Sequence, residues 1–298
     1  MRTLGILINR NTKLFFKDKG MFFTALITPA VLLVLYGTFL AKVFKDAFDA
    51  SLPPGFNIGE NVIDGFVACQ VTASILAVCC VTIAFSSNML MVQDKASGAI
   101  KDILISPVRR STLAVSYYVG AFLSTLITCF IGAGVCLLYI HHKGWFMTGE
   151  DVAFLFLDVV VMVLFGTALS SVVNFFLSSQ AQMSAVGTII SAGYGFICGA
   201  YMPISQFSEG LRNVLSYLPG TYGTSIIRNH CLRGVLEEMK DAGIPKEPMK
   251  IIKDNMDCNL YFKDNLVSME EMYGFVCVSI LVLLIVYVVM NVLRKKIN

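Results

Sequence analysis

FVACQVTASILAVCCVTIAFSSNML, residues 66–90, runs for 25 residues without a charged side chain. A helix of about 20 residues crosses a hydrocarbon core of about 30 Å, so this stretch is long and apolar enough to span a bilayer. Five further stretches have the same character: residues 21–41, 113–140, 152–177, 184–200 and 272–293. Pro29 interrupts the first of them, which is tolerable where neighbouring helices satisfy the freed carbonyl. That first stretch follows basic residues, as a signal peptide does. It is nevertheless longer than an ordinary signal core, and no small-x-small cleavage pattern follows it.

The composition agrees with a lipid solvent. Of 298 residues, 56% are hydrophobic and only 14% are charged, and the mean hydropathy is +0.72. Soluble domains carry about 25% charged residues, which they need to cover a core of this size. The expected fold is therefore an all-α polytopic membrane protein with six transmembrane helices in a single domain, residues 1–298. It includes an interfacial helix at residues 1–20, a loop at 93–112 and an extracellular helical segment at 203–271 before the last span.

The basic residues orient the chain. Arg2, Arg10, Lys13, Lys17 and Lys19 precede the first span, Lys95, Lys101, Arg109 and Arg110 lie in the loop after the second, and Arg294, Lys295 and Lys296 follow the last. The two short loops on the other side offer Lys42, Lys45 and Lys143. By the positive-inside rule both termini are cytoplasmic. In the first 20 residues, Leu4, Leu7, Ile8 and Phe15 share one helical face while Arg10, Lys13 and Lys17 share another. This predicts a helix lying in the membrane interface against anionic lipid; an ordinary basic flank is the other reading.

The loop QDKASGAIKDILISPVRRST, residues 93–112, holds a short amphipathic helix. Ile100, Ile103 and Leu104 have the i, i+3, i+4 spacing of one face, with Lys101 and Asp102 turned away. Pro107 ends it, because the residue before a proline disfavours the helical region. Such a helix either seats in a groove on a cytoplasmic partner or rests on the membrane surface.

Three further patterns concern the spans and the outer segment. In the second span Gln70, Ser74, Thr82 and Ser86 fall on nearly one stripe, which should face protein or a wet cavity; Ser and Thr also bond back to their own helix. In the fifth, Gly187, Ser191, Gly195 and Gly199 recur every four residues and leave a smooth face for close helix approach. That face serves either packing within the subunit or an interface and translocation path. Asp158 is the one carboxylate well inside a span, as a proton relay or as a hydrogen-bonded acid. In the outer segment Phe207, Leu211, Leu215 and Leu218 mark an amphipathic helix closed by Pro219 and Gly220, and a second helix covers 222–240. Cys231 and Cys258 both fall there, where an oxidising compartment permits a disulfide; two free thiols are the other outcome.

Several chemistries find no support. No Gly-Lys dipeptide occurs, so the phosphate-cradling GxxxxGK[ST] loop is missing and any ATP must be bound by another chain. The nine cysteines form no CxxC pair, and Cys69, Cys79, Cys80, Cys129, Cys136, Cys198 and Cys277 lie in apolar runs as packing residues. His141 and His142 have no ligand at metal spacing. A net charge of +3 is too small to suggest nucleic acid. An ion- or proton-coupled transporter would show internal repeats and paired midplane charges, and an intramembrane enzyme would show a nucleophile with a base or a metal cluster; neither pattern is found.

The ordering of these features resembles the ABC type-2 permease family, the membrane subunits of bacterial ATP-driven exporters. The resemblance covers nearly the whole chain: the basic start NTKLFFKDKG, the six spans, the loop QDKASGAIKDILISPVRR and the outer stretch MPISQFSEGLRNVLSYLPGTYGTSIIRNH. Asp94, Lys95, Gly98, Asp102, Leu104, Ser106, Pro107 and Arg110 fill the family's loop pattern, while Ala96 and Lys101 stand where a glutamate is common. The resemblance implies a non-enzymatic permease in the bacterial cytoplasmic membrane that exports a drug, lipid, peptide or glycan of amphipathic character. It implies a homo- or heterodimer of permeases, each with an ATP-binding-cassette ATPase holding ATP and Mg. Asp94, Lys95, Gly98, Ile100, Asp102, Ile103, Leu104 and Pro107 would form the coupling helix and its flanks. The second and fifth spans, with Ser74, Thr82, Gly187, Ser191, Gly195 and Gly199, would line the path between protomers.

Overall fold

The computed structural model describes residues 2–35, 42, 45, 58–262 and 265–297, which hold eleven helices and one short β-hairpin. The helices are α1 (Arg2–Lys17), α2 (Lys19–Leu35), α3 (Glu60–Ala96), α4 (Ala99–Ile105), α5 (Arg110–Lys143), α6 (Gly149–Phe175), α7 (Gln180–Ile197), α8 (Glu209–Leu215), α9 (Pro219–Asp241), α10 (Lys246–Asn255) and α11 (Met269–Ile297). Strands β1 (Tyr261–Phe262) and β2 (Asn265–Leu266) pair antiparallel, Tyr261 opposite Leu266.

The opening stretch becomes the axis of the molecule. It lies within α3, whose 37 residues reach about 55 Å at 1.5 Å per residue. The most apolar window of α3 is 100% buried. Its side chains are small or apolar on every side, and a helix of that kind is surrounded by others. The helices α2, α5, α6, α7 and α9 pack along it, and α1 and α4 meet it as well. At Gly166 of α6 a Cβ would lie 2.7 Å from the Cys80 carbonyl oxygen and 3.0 Å from Val81 Cα. Backbone-to-backbone contact there requires glycine.

Polar pairs set the directions of these helices. Asn88 Nδ2 donates to Ser170 and Ser171 at 3.1 and 2.7 Å, and further along both helices Lys95 Nζ reaches the Asn174 carbonyl, so α3 and α6 run parallel. Thr125 Oγ1 donates to Ser87 at 3.1 Å, and Tyr117 lies beside Asp94, so α5 runs against them. α1 packs on α5 through Leu7, Asn11 and Phe15. Asn11 thus enters the buried face that apolar periodicity assigned to Leu4, Leu7, Ile8 and Phe15.

Among the described residues four helices are long and apolar enough to cross a membrane: Glu60–Ala96, Arg110–Lys143, Gly149–Phe175 and Met269–Leu293. They contain the expected spans 66–90, 113–140, most of 152–177 and 272–293. The expected span 21–41 lies partly in α2, which has 17 residues, and its residues 36–41 fall outside the described part. The expected span 184–200 is the 18-residue α7, which starts four residues and ends three residues earlier. Ser179 starts α7 by accepting from Gln182 N, and Gly199, at φ 73°, turns the chain away beyond its end. Outward faces are apolar where lipid would be the solvent: Ile127, Ile131 and Leu138 on α5, and Val278, Leu281 and Ile285 on α11. Only 17% of the α11 window is buried, which makes it peripheral where α3 is central.

The segment expected wholly outside the membrane folds back onto the bundle. α9 packs on α3, α6 and α11, with Ile227, Cys231 and Leu232 fully buried. Its Gly223 abuts Met162 of α6, a residue roughly 20 Å along that helix at 1.5 Å per residue.

Candidate functional site at the loop between α3 and α5

The loop begins with two charged neighbours that point in different directions. Asp94 is buried, and its carboxylate accepts from Arg10 Nη1 at 2.7 Å, Arg10 Nη2 at 3.2 Å and the Tyr117 hydroxyl at 2.6 Å. One residue thereby joins α1, α3 and α5. The hydrogen bond to Asp94 holds the Arg10 guanidinium above its ordinary pKa. Lys95 Nζ donates to the carbonyls of Asn174, Phe175 and Leu177 at 3.1, 2.8 and 3.3 Å. It therefore caps the C-terminus of α6, where the helix dipole favours a cation.

Asp94 and Lys95 are engaged within the chain and hold the loop in place. Gly98, at φ 84°, makes the left-handed turn that separates α3 from α4. On α4 the apolar triplet and the charged pair Lys101 and Asp102 lie on opposite faces. Ile100, Ile103 and Leu104 are half-buried against the protein's own core. Lys101, Asp102, Ser106 and Pro107 are exposed, and Ile105 is 85% exposed. Ile105 lies out of phase with the apolar triplet, and that mismatch was the available signal. The outer side of α4 is thus a small mixed surface of one apolar side chain, one cation and one anion, set on a clamped base.

The fifth-span stripe turns inward. Gly187 faces the Met89 side chain, Gly195 is covered by the Tyr201 ring, and Gly199 lies against Ile204. Tyr201 donates its hydroxyl to the Ser191 carbonyl at 3.2 Å. The open face of α7 is a different one, built from Ser184, Ala185, Thr188, Ile189, Ala192 and Phe196. Gly195→Leu is therefore expected to drive its side chain into the Tyr201 ring. Overpacking of this kind costs roughly 1–3 kcal/mol or more, and the variant should give little monodisperse protein on size-exclusion chromatography after extraction. Wild-type yield and thermal stability would show that the ring does not need the space.

The second-span stripe also faces protein within the chain. Gln70 and Ser74 are fully buried, and neither side chain finds a hydrogen-bond partner among the described residues. Thr82 and Ser86 bond back to Val78 and Thr82 carbonyls at 3.0 and 3.1 Å.

Asp158 is a hydrogen-bonded acid. It meets His230 Nδ1 at 2.7 Å and accepts from the Tyr273 hydroxyl, while Phe154 stacks on the imidazole at 4.9 Å. The cluster joins α6, α9 and α11. Arg233 makes a second clip, with its Nε 2.5 Å from Asp151 and its Nη2 3.3 Å from Glu150. A third is deeper: Arg228 is fully buried between the Gly199 carbonyl, at 2.7 Å, and Asp257, at 3.3 Å. None of these pairs was visible in sequence, where their members stand dozens of residues apart. Cys231 and Cys258 are separate buried thiols and not a disulfide, and burial pushes the Cys258 thiol up to about 12.

A bundle of long apolar helices, with one clamped amphipathic helix set between two of them, is the architecture of a polytopic membrane protein. Residues 47–293 match the family described as ABC-2 family transporter protein, and the chain belongs to that family. It is accordingly the permease component of an ABC transporter, a class that works with an ABC ATPase. A search of curated proteins finds no match.

Proposed function

We propose that this chain is the permease subunit of an ATP-driven exporter, with α4 as the helix that receives the ATPase. The observation that carries the reading is the clamped base of α4. Asp94 ties it to α1 and α5 and Lys95 ties it to α6, so a push on α4 reaches four helices at once. A loop helix that merely rested on lipid would not need such anchoring, and its most exposed large side chain, Ile105, suits a protein groove. The positive-inside distribution places α4 and both termini in the cytoplasm and α10 outside. In this arrangement the chain crosses the bacterial cytoplasmic membrane six times, α2 and α7 completing the set, and residues 1–298 act as one domain. Two permease chains assemble, each with an ATP-binding-cassette subunit that binds ATP and Mg. The open face of α7, with its small and hydroxylic side chains, is the surface for the path or the partner protomer, in place of the inward-facing glycine stripe. The cargo is amphipathic.

Co-expression with an ATP-binding-cassette ATPase from the same genome tests the reading. The expected result is a stable complex in detergent whose ATP hydrolysis rises several-fold with cargo in the lipid-reconstituted state. A chain that purifies alone and transports under an ion gradient without ATP would overturn it.

A further inference from the structure

Between the hairpin and the start of α11 there is a half-open cavity of about 380 Å³, lined among others by Tyr222, Phe262, Asn265, Leu266, Glu271 and Phe275. Three elements each contribute one aromatic ring: α9, the hairpin and α11. Tyr222 and Phe275 sit with centroids 4.9 Å apart at 58°. Phe262 is held edge-on by Tyr217 at 5.1 Å and 82°. The Tyr222 hydroxyl is already committed, donating to the Ser216 carbonyl at 2.6 Å, so its ring is the part a ligand would meet.

Glu271 supplies the charge. Its Oε2 accepts from Ser268 N at 2.7 Å, which fixes the side chain at the start of α11. No cation pairs with it among the described residues, and it is the sole formal charge among the described lining residues. Aromatic faces and a carboxylate both attract a cation, and both disfavour an anion. The volume falls in the range that holds a small organic ligand.

We propose that this cavity binds a lipophilic monocation, the cargo class that the exporter reading leaves open. The binding does not depend on that reading; its meaning as cargo does. Glu271 supplies the counter-charge, and Tyr222, Phe262 and Phe275 supply the aromatic walls.

The test uses the full chain in lipid nanodiscs and radiolabelled tetraphenylphosphonium in a scintillation proximity assay. Saturable binding is expected, with no competition from tetraphenylborate, an anion of the same shape. Glu271→Gln keeps the hydrogen bond to Ser268 N and removes only the charge; it and Phe275→Ala should each weaken binding about tenfold. Absence of saturable binding, unchanged affinity in Glu271→Gln, or equal competition by tetraphenylborate overturns the site. If the permease–ATPase complex shows cargo-stimulated hydrolysis yet binds no tetraphenylphosphonium, the site falls and the exporter reading stands. If the chain binds the cation but forms no complex with the ATPase, the exporter reading falls and the site stands.

Discussion

Arg228→Leu is expected to cost roughly 3–5 kcal/mol, the range for breaking a buried ion pair by removing one partner. The guanidinium is 1% exposed, with Nη2 donating to the Gly199 carbonyl and Nη1 to Asp257. Asp257 is also buried, and it accepts from Ile204 N at 2.6 Å and Ser205 N at 3.2 Å. Its own carbonyl accepts from Ser225 at 2.8 Å. One ion pair therefore fastens the turn after α7, the middle of α9 and the end of α10. Burial pushes the Asp257 carboxyl above its ordinary value, and Arg228 is the strongest influence pulling it back. Leucine leaves that carboxylate buried with two backbone donors and no counter-charge. Hydrogen exchange should show residues 199–258 opening while α3 and α5 stay protected, and thermal unfolding in detergent should begin earlier. Arg228→Leu with Asp257→Asn should recover part of the loss, since both charges are then gone and Asn tolerates the positive φ of 52° at that position. Wild-type protection in the single variant, or equal instability of the single and double variants, would mean that the pair does not hold the segment.

Long charge-free runs made most of the bundle legible before any coordinates, because lipid selects them almost irrespective of neighbours. What periodicity does not carry is the identity of the neighbour. Asp94 and Arg10 stand 84 positions apart, so each looked like a free surface charge, one for an ATPase and one for a headgroup. Gly187, Gly195 and Gly199 suggest a smooth face, and the groups beside them are the side chains of Met89, Tyr201 and Ile204 of the same chain. The apolar triplet of α4 was equally clear as a pattern. An apolar face is drawn to the nearest apolar surface, and here that surface is the permease's own core. The residue left outside, Ile105, breaks the pattern and so went unassigned. The burial of α9 was hidden for a related reason: its polar residues are paired with Asp151 and Asp158 of α6 and with the turn at Asp257 and Cys258, so its composition resembles an exposed helix although most of it is buried.

The exposure of Ile105 on α4 yields the second large effect. Ile105→Asp is expected to abolish ATP-driven transport while leaving the permease folded. The side chain is 85% exposed in the isolated chain, where surface substitutions usually change stability by less than about 0.5 kcal/mol. In a docked complex the same carboxylate would sit unpaired in a packed contact, at a cost of several kcal/mol. A loss of about 2.7 kcal/mol corresponds to about a hundredfold in affinity, enough to separate permease from ATPase at working concentrations. Ile103→Asp provides the contrast. Its side chain is half-buried against the protein's own core, so it should lower the thermal stability of the permease alone, before any partner is added. Two measurements separate the sites: unfolding temperature of the purified chain, and ATPase recovered on an affinity-tagged permease. Ile105→Asp should change only the second, whereas Ile103→Asp should change the first. If Ile105→Asp transports normally, the outer side of α4 does not meet the ATPase and its assignment as the coupling surface is lost. If Ile103→Asp is as stable as wild type but uncoupled, the apolar triplet is the docking face after all, and the packing of α4 against its own bundle gives way when the ATPase binds.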